Sequence, residues 1–565
     1  MLHSRLLAST LIFLVSGGAA SASERNTPQP DFLPPAVLTL PSVLPAELIP
    51  PGFTVEFTER LANTDRRMNA ADKADRAALM QFYAERRYEP IWTGEQGLTA
   101  AAQSVIREIS QADDWGLDHT DFQFPALASH VGRTRDTRTD LDVEISLAVL
   151  KYARYARGGR ADPRRISSNL DRKLRTLDPL EVIATAANDA KPDAYLRSLH
   201  PQHPQFEKLR QQYLAIKRGD FAGVVQPVSL TNGNKSQRAP ARPQEAALLR
   251  VLLTNMEQWR WMPEDLGTYH VWVNIPEFTL RVMADGHAVH SERVVVGRAT
   301  TQTPIFSDEI QHVIFHPFWG VPDSIKTKEL LPNLQRGNID ILARNNMRIQ
   351  YRGRDVDPRS VDWSRADMRK FHVYQPPGAD NALGIVKFRF PNSHAVYIHD
   401  TPSKKLFNAE VRAFSHGCMR LRDPVKLASL LLTQDEKWTA EKVSAVVRKG
   451  PKNNWIALGQ KVPVHMTYFT AWVDDKGALK LFNDVYGHDA RIASAIGGKA
   501  ATQVAAVRPT TKAAAELVAT APEATPAAAA PARTERTARK RQPVPPPPRM
   551  ARRSDRDWMT RVFNQ

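Results

Sequence analysis

Cys418 is the single cysteine in a chain of 565 residues, and it stands in the run Arg412 to Asp423, "RAFSHGCMRLRD". A thiol attacks a carbonyl carbon only as thiolate, so a nucleophilic cysteine needs a base for its proton or positive charge for its anion. This sequence supplies both nearby. His416 lies two residues before Cys418 and His399 nineteen before. Arg420 and Arg422 follow closely, favour thiolate and suit a substrate carboxylate. Gly417 removes a side chain beside the sulfur, so a substrate can approach backbone amides that would stabilise an oxyanion.

Blander readings of the same residues exist. A buried cysteine can act as a small inert hydrophobe. A turn histidine such as His416 can simply bond backbone. His394, His399, His416 and Cys418 make four possible metal ligands. Their spacing fits no common zinc pattern, and His-Gly-Cys is awkward for one tetrahedral ion, so no metal is expected. The pair His399 and Cys418 is harder to reduce to structure.

Those two residues need elements to bring them together. "SHAVYIHDT" alternates and places His399 at a strand end. "DPVKLASLLL" after the cysteine reads as a helix, with Asp423 as N-cap and Pro424 at the first helical position. A strand end facing a turn before a helix can join histidine to cysteine. The surroundings have period two. "YHVWVNIPEFTLRVMADGHAVHSERVVVG" reads as strands joined by Asp285-Gly286, a hairpin signal. Short β-like runs recur at "IQHVIFHPFWGV" and "GIVKFRF"; between them about 323–372 is charged and reads as a helical and loop insertion.

Upstream the pattern is helical. Leu79, Phe82 and Tyr83 share a helix face, and "DLDVEISLAVLKYARYARGG" closes on Gly158-Gly159, so 60–220 is expected to be a mainly helical domain. Residues 221–243 read as a linker. A helix follows with Leu249, Leu252, Leu253 and Met256 on one side and Trp259 and Trp261 as packing anchors. The fold class is therefore α+β: a helical N-terminal domain, then a β-rich domain over 244–497.

The ends set the compartment. Residues 1–22 have a basic start, a short apolar run and the small-residue stretch Ala20-Ser21-Ala22, as in a cleaved signal peptide. Residues 23–59 form a leader with eight prolines between 28 and 51. No other stretch of about 18 apolar residues follows, so no transmembrane segment is expected after cleavage. The net charge, 77 − 60 = +17, suits an anionic partner. Residues 501–565 hold 16 Ala and 9 Pro with 12 basic against 5 acidic residues, so 498–565 is expected to be a disordered basic tail.

The stretch "YIHDTPSKKLFNAEVRAFSHGCMRLRD" resembles the signature of the L,D-transpeptidases: a histidine, a gap of fixed length, then Ser-His-Gly-Cys and an arginine. His399, Ser415, His416, Gly417, Cys418 and Arg420 fall on that pattern. "VVVGRATTQTPIF", "FHPFWGVPDSI" and "WVDDKGALKLFNDVYG" are similar to flanks of the large periplasmic branch, which carries an inserted cap. The resemblance covers about 245–490. The helical part resembles that branch's N-terminal scaffold more weakly, and the small peptidoglycan-binding module of many large members has no matching pattern here.

The resemblance implies a YkuD-type catalytic domain and acyl transfer on peptidoglycan stem peptides. Cys418 would be the nucleophile and His399 the proton acceptor and donor, its ring oriented by the Asp400 carbonyl. Tyr397, Ser415, His416, Gly417 and Arg420 would bind substrate. No cofactor and no nucleic acid are implied; the acceptor would be a second stem peptide, a D-amino acid or an outer-membrane protein amine, in the periplasm. Two rivals stand beside this reading: another cysteine peptidase or amidase acting on wall peptides, and a non-catalytic wall-binding scaffold. In papain-like enzymes the cysteine precedes its histidine, whereas here His399 comes first.

Overall fold

The computed structural model describes residues 54–62, 68–122, 135–220 and 241–497. The expected signal peptide, most of the leader and linker, and the basic tail fall outside the described residues. No described helix is long and apolar enough to cross a membrane.

The N-terminal domain packs around the helix Arg135–Gly158. Ala70–Glu85, Ala100–Ser110 and Pro179–Asn188 surround it, started by side-chain caps from Asn69, Thr99 and Asp178. Leu79, Phe82, Tyr83, Val105, Val149 and Tyr152 fill the core. One buried carboxylate organises it: Asp142 accepts from the Tyr83 hydroxyl at 2.6 Å and from the N–H groups of Ile91, Trp92 and Thr93 at 2.8–2.9 Å. Such a group is tolerated inside because its lone pairs are satisfied. The leader expected over 23–59 is shorter than that reading: the helix Thr54–Ala62 runs through its end, because Phe57 and Leu61, one turn apart, are buried.

The domains share packing. The helix Ala241–Arg260 begins within the expected linker. Its Leu252, Met256 and Trp259 pack with Phe206 and Leu209 on one side and with Trp272 and Phe469 of the β domain on the other. Trp259 stacks on Phe469 with ring centres 4.6 Å apart. An arm after Gly158 reaches further. Leu170 forms a bridge with Ile305, and the buried Arg172 donates to the Met466 carbonyl at 2.8 Å and to the Ser307 hydroxyl. The helical domain is thus riveted to the sheet, not merely tethered.

The β domain is a closed barrel. Its order is Ala413–Ser415, His287–Gly297, Met419–Leu421, Ile398–His399, Val386–Arg389, Ser307–Phe315, Asn454–Thr467, Tyr269–Asn274 and Thr279–Ala284, and the last pairs back with His287–Gly297. Asp285 and Gly286 have φ of 49° and 79°, the left-handed pair that a tight hairpin requires. Val271, Val294, Val313, Phe388, Ile398 and Met419 belong to the core.

The insertion between Phe315 and Val386 is wider than the expected 323–372. It carries its own four-stranded sheet, Trp319–Gly320, Phe371–Gln375, Arg348–Tyr351 and Arg354–Asp355, over a core including Leu330, Leu342 and Trp363. The outer strands extend it, since the Val321 N–H bonds the Val373 carbonyl at 2.8 Å. The Asn381 amide clamps both stems, donating to Pro317 at 3.0 Å and Pro376 at 2.9 Å.

Candidate active site

Two short parallel strands build the site, with Ile398 opposite Met419 and His399 opposite Arg420. Ile398 and Met419 enter the barrel core. Alternation turns Tyr397, His399 and Arg420 to the other face. Cys418 directly precedes its strand and is half-buried. The Met419 N–H bonds the Tyr397 carbonyl at 3.1 Å, and the Tyr397 hydroxyl bonds the Cys418 thiol. Met419–Leu421 leads into the helix Pro424–Leu432, capped by Asp423 as its sequence indicates.

His399 is buried, and its Nδ1 faces the carbonyl of Asp400. A carbonyl oxygen only accepts, so Nδ1 carries the proton and Nε2 keeps its lone pair. Burial holds the imidazole down to about 3, with the Arg420 and Lys387 charges acting the same way against the Asp400 carbonyl. Burial pushes the Cys418 thiol up, against Tyr397, Lys387 and Arg420. The resting pair is therefore a neutral thiol and a neutral base. Among the described residues the sulfur makes no hydrogen bond to His399. Cys418 is level with Tyr397 and His399 with Arg420, so the two lie two residues apart in register on the same face of neighbouring strands.

The Asp400 carboxylate fixes this strand end. It accepts from the N–H groups of Ile385 at 3.0 Å and Thr401 at 2.7 Å and from Lys404 Nζ at 2.6 Å.

The signature loop is tied by short bonds. Ser415 is 2% exposed; its hydroxyl donates to the Cys418 carbonyl at 2.6 Å and accepts from the Gly417 N–H at 3.1 Å. It shapes the loop and offers substrate no surface. Gly417 has φ of +119°, which favours glycine, and its carbonyl accepts from the Thr303 hydroxyl at 2.8 Å. The Cys418 N–H has no partner among the described residues. Arg420 faces the site with its Nε buried and unpartnered among the described residues. Arg422 turns away to Glu292 at 2.7 Å, so it adds no charge at the thiol.

His416 is exposed, with Nε2 2.6 Å from Glu329 of the cap and 2.9 Å from Arg298. His394 lies elsewhere, 2.9 Å from Asp171. Among the described residues, the four possible metal ligands form no cluster.

Two residues at the site escape the sequence reading. Lys387 pairs with His399 from the opposite strand, and its Nζ lies 4.0 Å from the centre of the Tyr397 ring. Burial brings its ammonium down to about 8, with Arg389 acting the same way and Cys418 opposing. The alternation of "VKFRF", with Val386 and Phe388 buried, carried the signal that Lys387 faces outward. Trp319 of the cap hydrogen-bonds Tyr397, and nothing in its local sequence indicates that contact.

Comparison with known proteins identifies this architecture. Residues 268–463 match the L,D-transpeptidase catalytic domain (YkuD), and residues 77–212 match the Scaffold domain. A Haemophilus influenzae protein provisionally named an L,D-transpeptidase is 27% identical over 425 residues, 73% of this chain and 78% of its own. An L,D-transpeptidase from Mycobacterium smegmatis is 12% identical, with 35% of this chain and 58% of that chain covered and a TM-score of 0.17. L,D-transpeptidase 3 from Mycobacterium tuberculosis is 15% identical, with 35% and 61% covered and a TM-score of 0.17. The chain spans about three-fifths of these two structures, and at such TM-scores they carry no structural argument. Residues 268–463 thus match an L,D-transpeptidase catalytic domain, a cysteine acyltransferase family, and follow a match to the Scaffold domain.

Proposed function

We propose that this protein is a peptidoglycan L,D-transpeptidase of the periplasm, exported by residues 1–22, with Cys418 as nucleophile and His399 as general base and acid. The thiol gives its proton to His399 Nε2 as sulfur attacks the carbonyl between the third stem residue and terminal D-Ala. The C–N bond breaks, D-Ala takes the proton from His399, and a thioester remains. An acceptor amine forms a new C–N bond at the acyl carbon; the C–S bond breaks, and the amine's proton returns through His399 to sulfur. With a second stem's third-residue amine the product is a 3→3 cross-link. Positioned groups of this kind stabilise charge where it develops. The Cys418 N–H and the Arg420 guanidinium would meet the oxyanion and a substrate carboxylate, and Tyr397 would orient the sulfur.

The observation that carries this reading is the His399–Asp400 bond, which leaves Nε2 as a base on the strand beside Cys418. Mass spectrometry of muropeptides tests it: the full chain should release D-Ala and form dimers, and Cys418→Ala should do neither. A carbapenem, whose strained carbonyl mimics the scissile amide, should add once to the full chain and not to Cys418→Ala. Dimer formation by Cys418→Ala would end the proposal.

A further inference from the structure

A cleft of about 1030 Å³ lies where the arm after Gly158 crosses the barrel. Lys173 and Leu174 of the arm line one side, Trp261 and Asp265 another, and Asp308 with the Asn392–His394 turn the barrel side. Its frame is rigid, because Arg172 is bonded to the Ser307 hydroxyl and the Met466 carbonyl beneath it.

The charges on its walls are of two kinds. Some are matched within the protein: Arg164 with Asp171 at 2.8 Å, and Arg175 with Glu264 at 2.6 Å. Others are not. Lys173 is exposed and has no acid partner among the described residues. Asp308 accepts only from the N–H of Glu309, at 2.7 Å, and Asp265 only from that of Gly267, also at 2.7 Å; neither has a cation among the described residues. One cleft thus presents an unmatched ammonium and two unmatched carboxylates, with the buried Arg172 guanidinium, held by the Ser307 hydroxyl and the Met466 carbonyl, beneath them. A ligand bearing carboxylate and ammonium groups together would complement them, as charge-assisted bonds do.

The walls of the cleft are linked to the cysteine loop through intervening residues. The Asn392–His394 turn continues through Val396 into Tyr397 and His399. A Val396 methyl lies 3.6 Å from where a Cβ on Gly417 would sit. From the arm, Asn169 bonds the Gln302 side chain at 3.1 Å, and the Gln302 carbonyl lies 3.5 Å from that same point. The cap reaches the loop from elsewhere, through Glu329 and His416.

We infer that this cleft binds the acceptor: a zwitterionic peptide stem held by Lys173, Asp265 and Asp308, with its reacting amine directed to the acyl group on Cys418. The inference rests on the transpeptidase reading above. It assigns the two substrates to two sides of the cysteine loop, the donor under the cap and the acceptor against the scaffold arm.

The test uses the full chain, a tetrapeptide muropeptide as donor and a purified tripeptide stem as acceptor. In Lys173→Ala and Asp308→Asn the acceptor concentration for half-maximal dimer formation should rise about tenfold, the loss of one charge-assisted contact. Acylation of Cys418 by a carbapenem, which needs no acceptor, reports that fold and nucleophile are intact; it should stay within about twofold, because one contact converts to a tenfold effect only where it is made. Unchanged acceptor dependence in both variants would overturn the assignment and leave the transpeptidase reading standing. Equal loss of acylation and dimer formation would also overturn it, since the cleft would then serve the donor or the fold. A full chain that forms no acyl-enzyme at all would remove both.

Discussion

Lys387 stands directly opposite His399 in the register of two antiparallel strands, and its ammonium rests against the ring of Tyr397. Lys387, His399 and Tyr397 thus lie side by side next to Cys418. Arg420 faces the same site from the next strand, and Arg389 lies two residues along from Lys387. Lys387 favours the thiolate only while charged, and its pKa of about 8 puts that charge within working pH.

Turnover should therefore hold through neutral pH and fall as pH rises through about 8, where Lys387 loses its proton. His399, held near 3, keeps its base form well below neutrality and sets no acid limb there. Lys387→Met should lower kcat/KM roughly tenfold at pH 7, the scale of one lost charge contact, and abolish the alkaline fall. The pH–rate profiles of both proteins check this. A wild-type profile that climbs through pH 9, as simple thiol ionisation would give, contradicts it.

Gly384→Ala should damage the site without touching it. Gly384 has φ of +58°, and a Cβ there would sit 2.2 Å from Asp400 Oδ2. Backbone and side chain both resist the substitution, and Asp400 would have to leave the N–H groups of Ile385 and Thr401. Its carbonyl holds the His399 tautomer, so the base would lose its orientation. The expected cost is about 2–3 kcal/mol of stability and a fall in kcat larger than any rise in KM. Calorimetry and kinetics on the variant decide; a stable variant with unchanged kcat would show that Asp400 does not position His399.

What the sequence disclosed follows from what is local. The helix cap at Asp423, the Asp285-Gly286 hairpin and the strand end at His399 are written in a few adjacent residues, and each is found in place. The buried tryptophans Trp259 and Trp261 are anchors, as their helix suggests. Long-range relations were not legible. Arg422 reads as a partner of the thiol, yet Glu292 of the neighbouring strand holds it. Ser415 reads as a substrate contact, yet its hydroxyl lies inside the loop. Lys387 lies 12 positions before His399 and 31 before Cys418, and only barrel pairing sets it opposite that histidine. The scaffold arm's grip on the sheet through Arg172 joins residues 294 positions apart, beyond any periodicity.

The last prediction concerns the cap. Glu329 sits on its π turn, Lys326–Leu330, and meets His416 at 2.6 Å. The side chains are 52% and 32% exposed, so the pair contributes less than about 1 kcal/mol to global stability. Its effect should be local, because it links the inserted sheet to the loop that holds Cys418, while the stems clamped by Asn381 stay fixed. Glu329→Ala should leave the melting temperature within about 2 °C. It should raise amide exchange over 323–335 and change KM for the donor more than kcat. Hydrogen–deuterium exchange measured beside steady-state kinetics separates the cases. Unaltered exchange over 323–335 would mean that the Trp319–Tyr397 hydrogen bond, and not the Glu329–His416 contact, keeps the cap down.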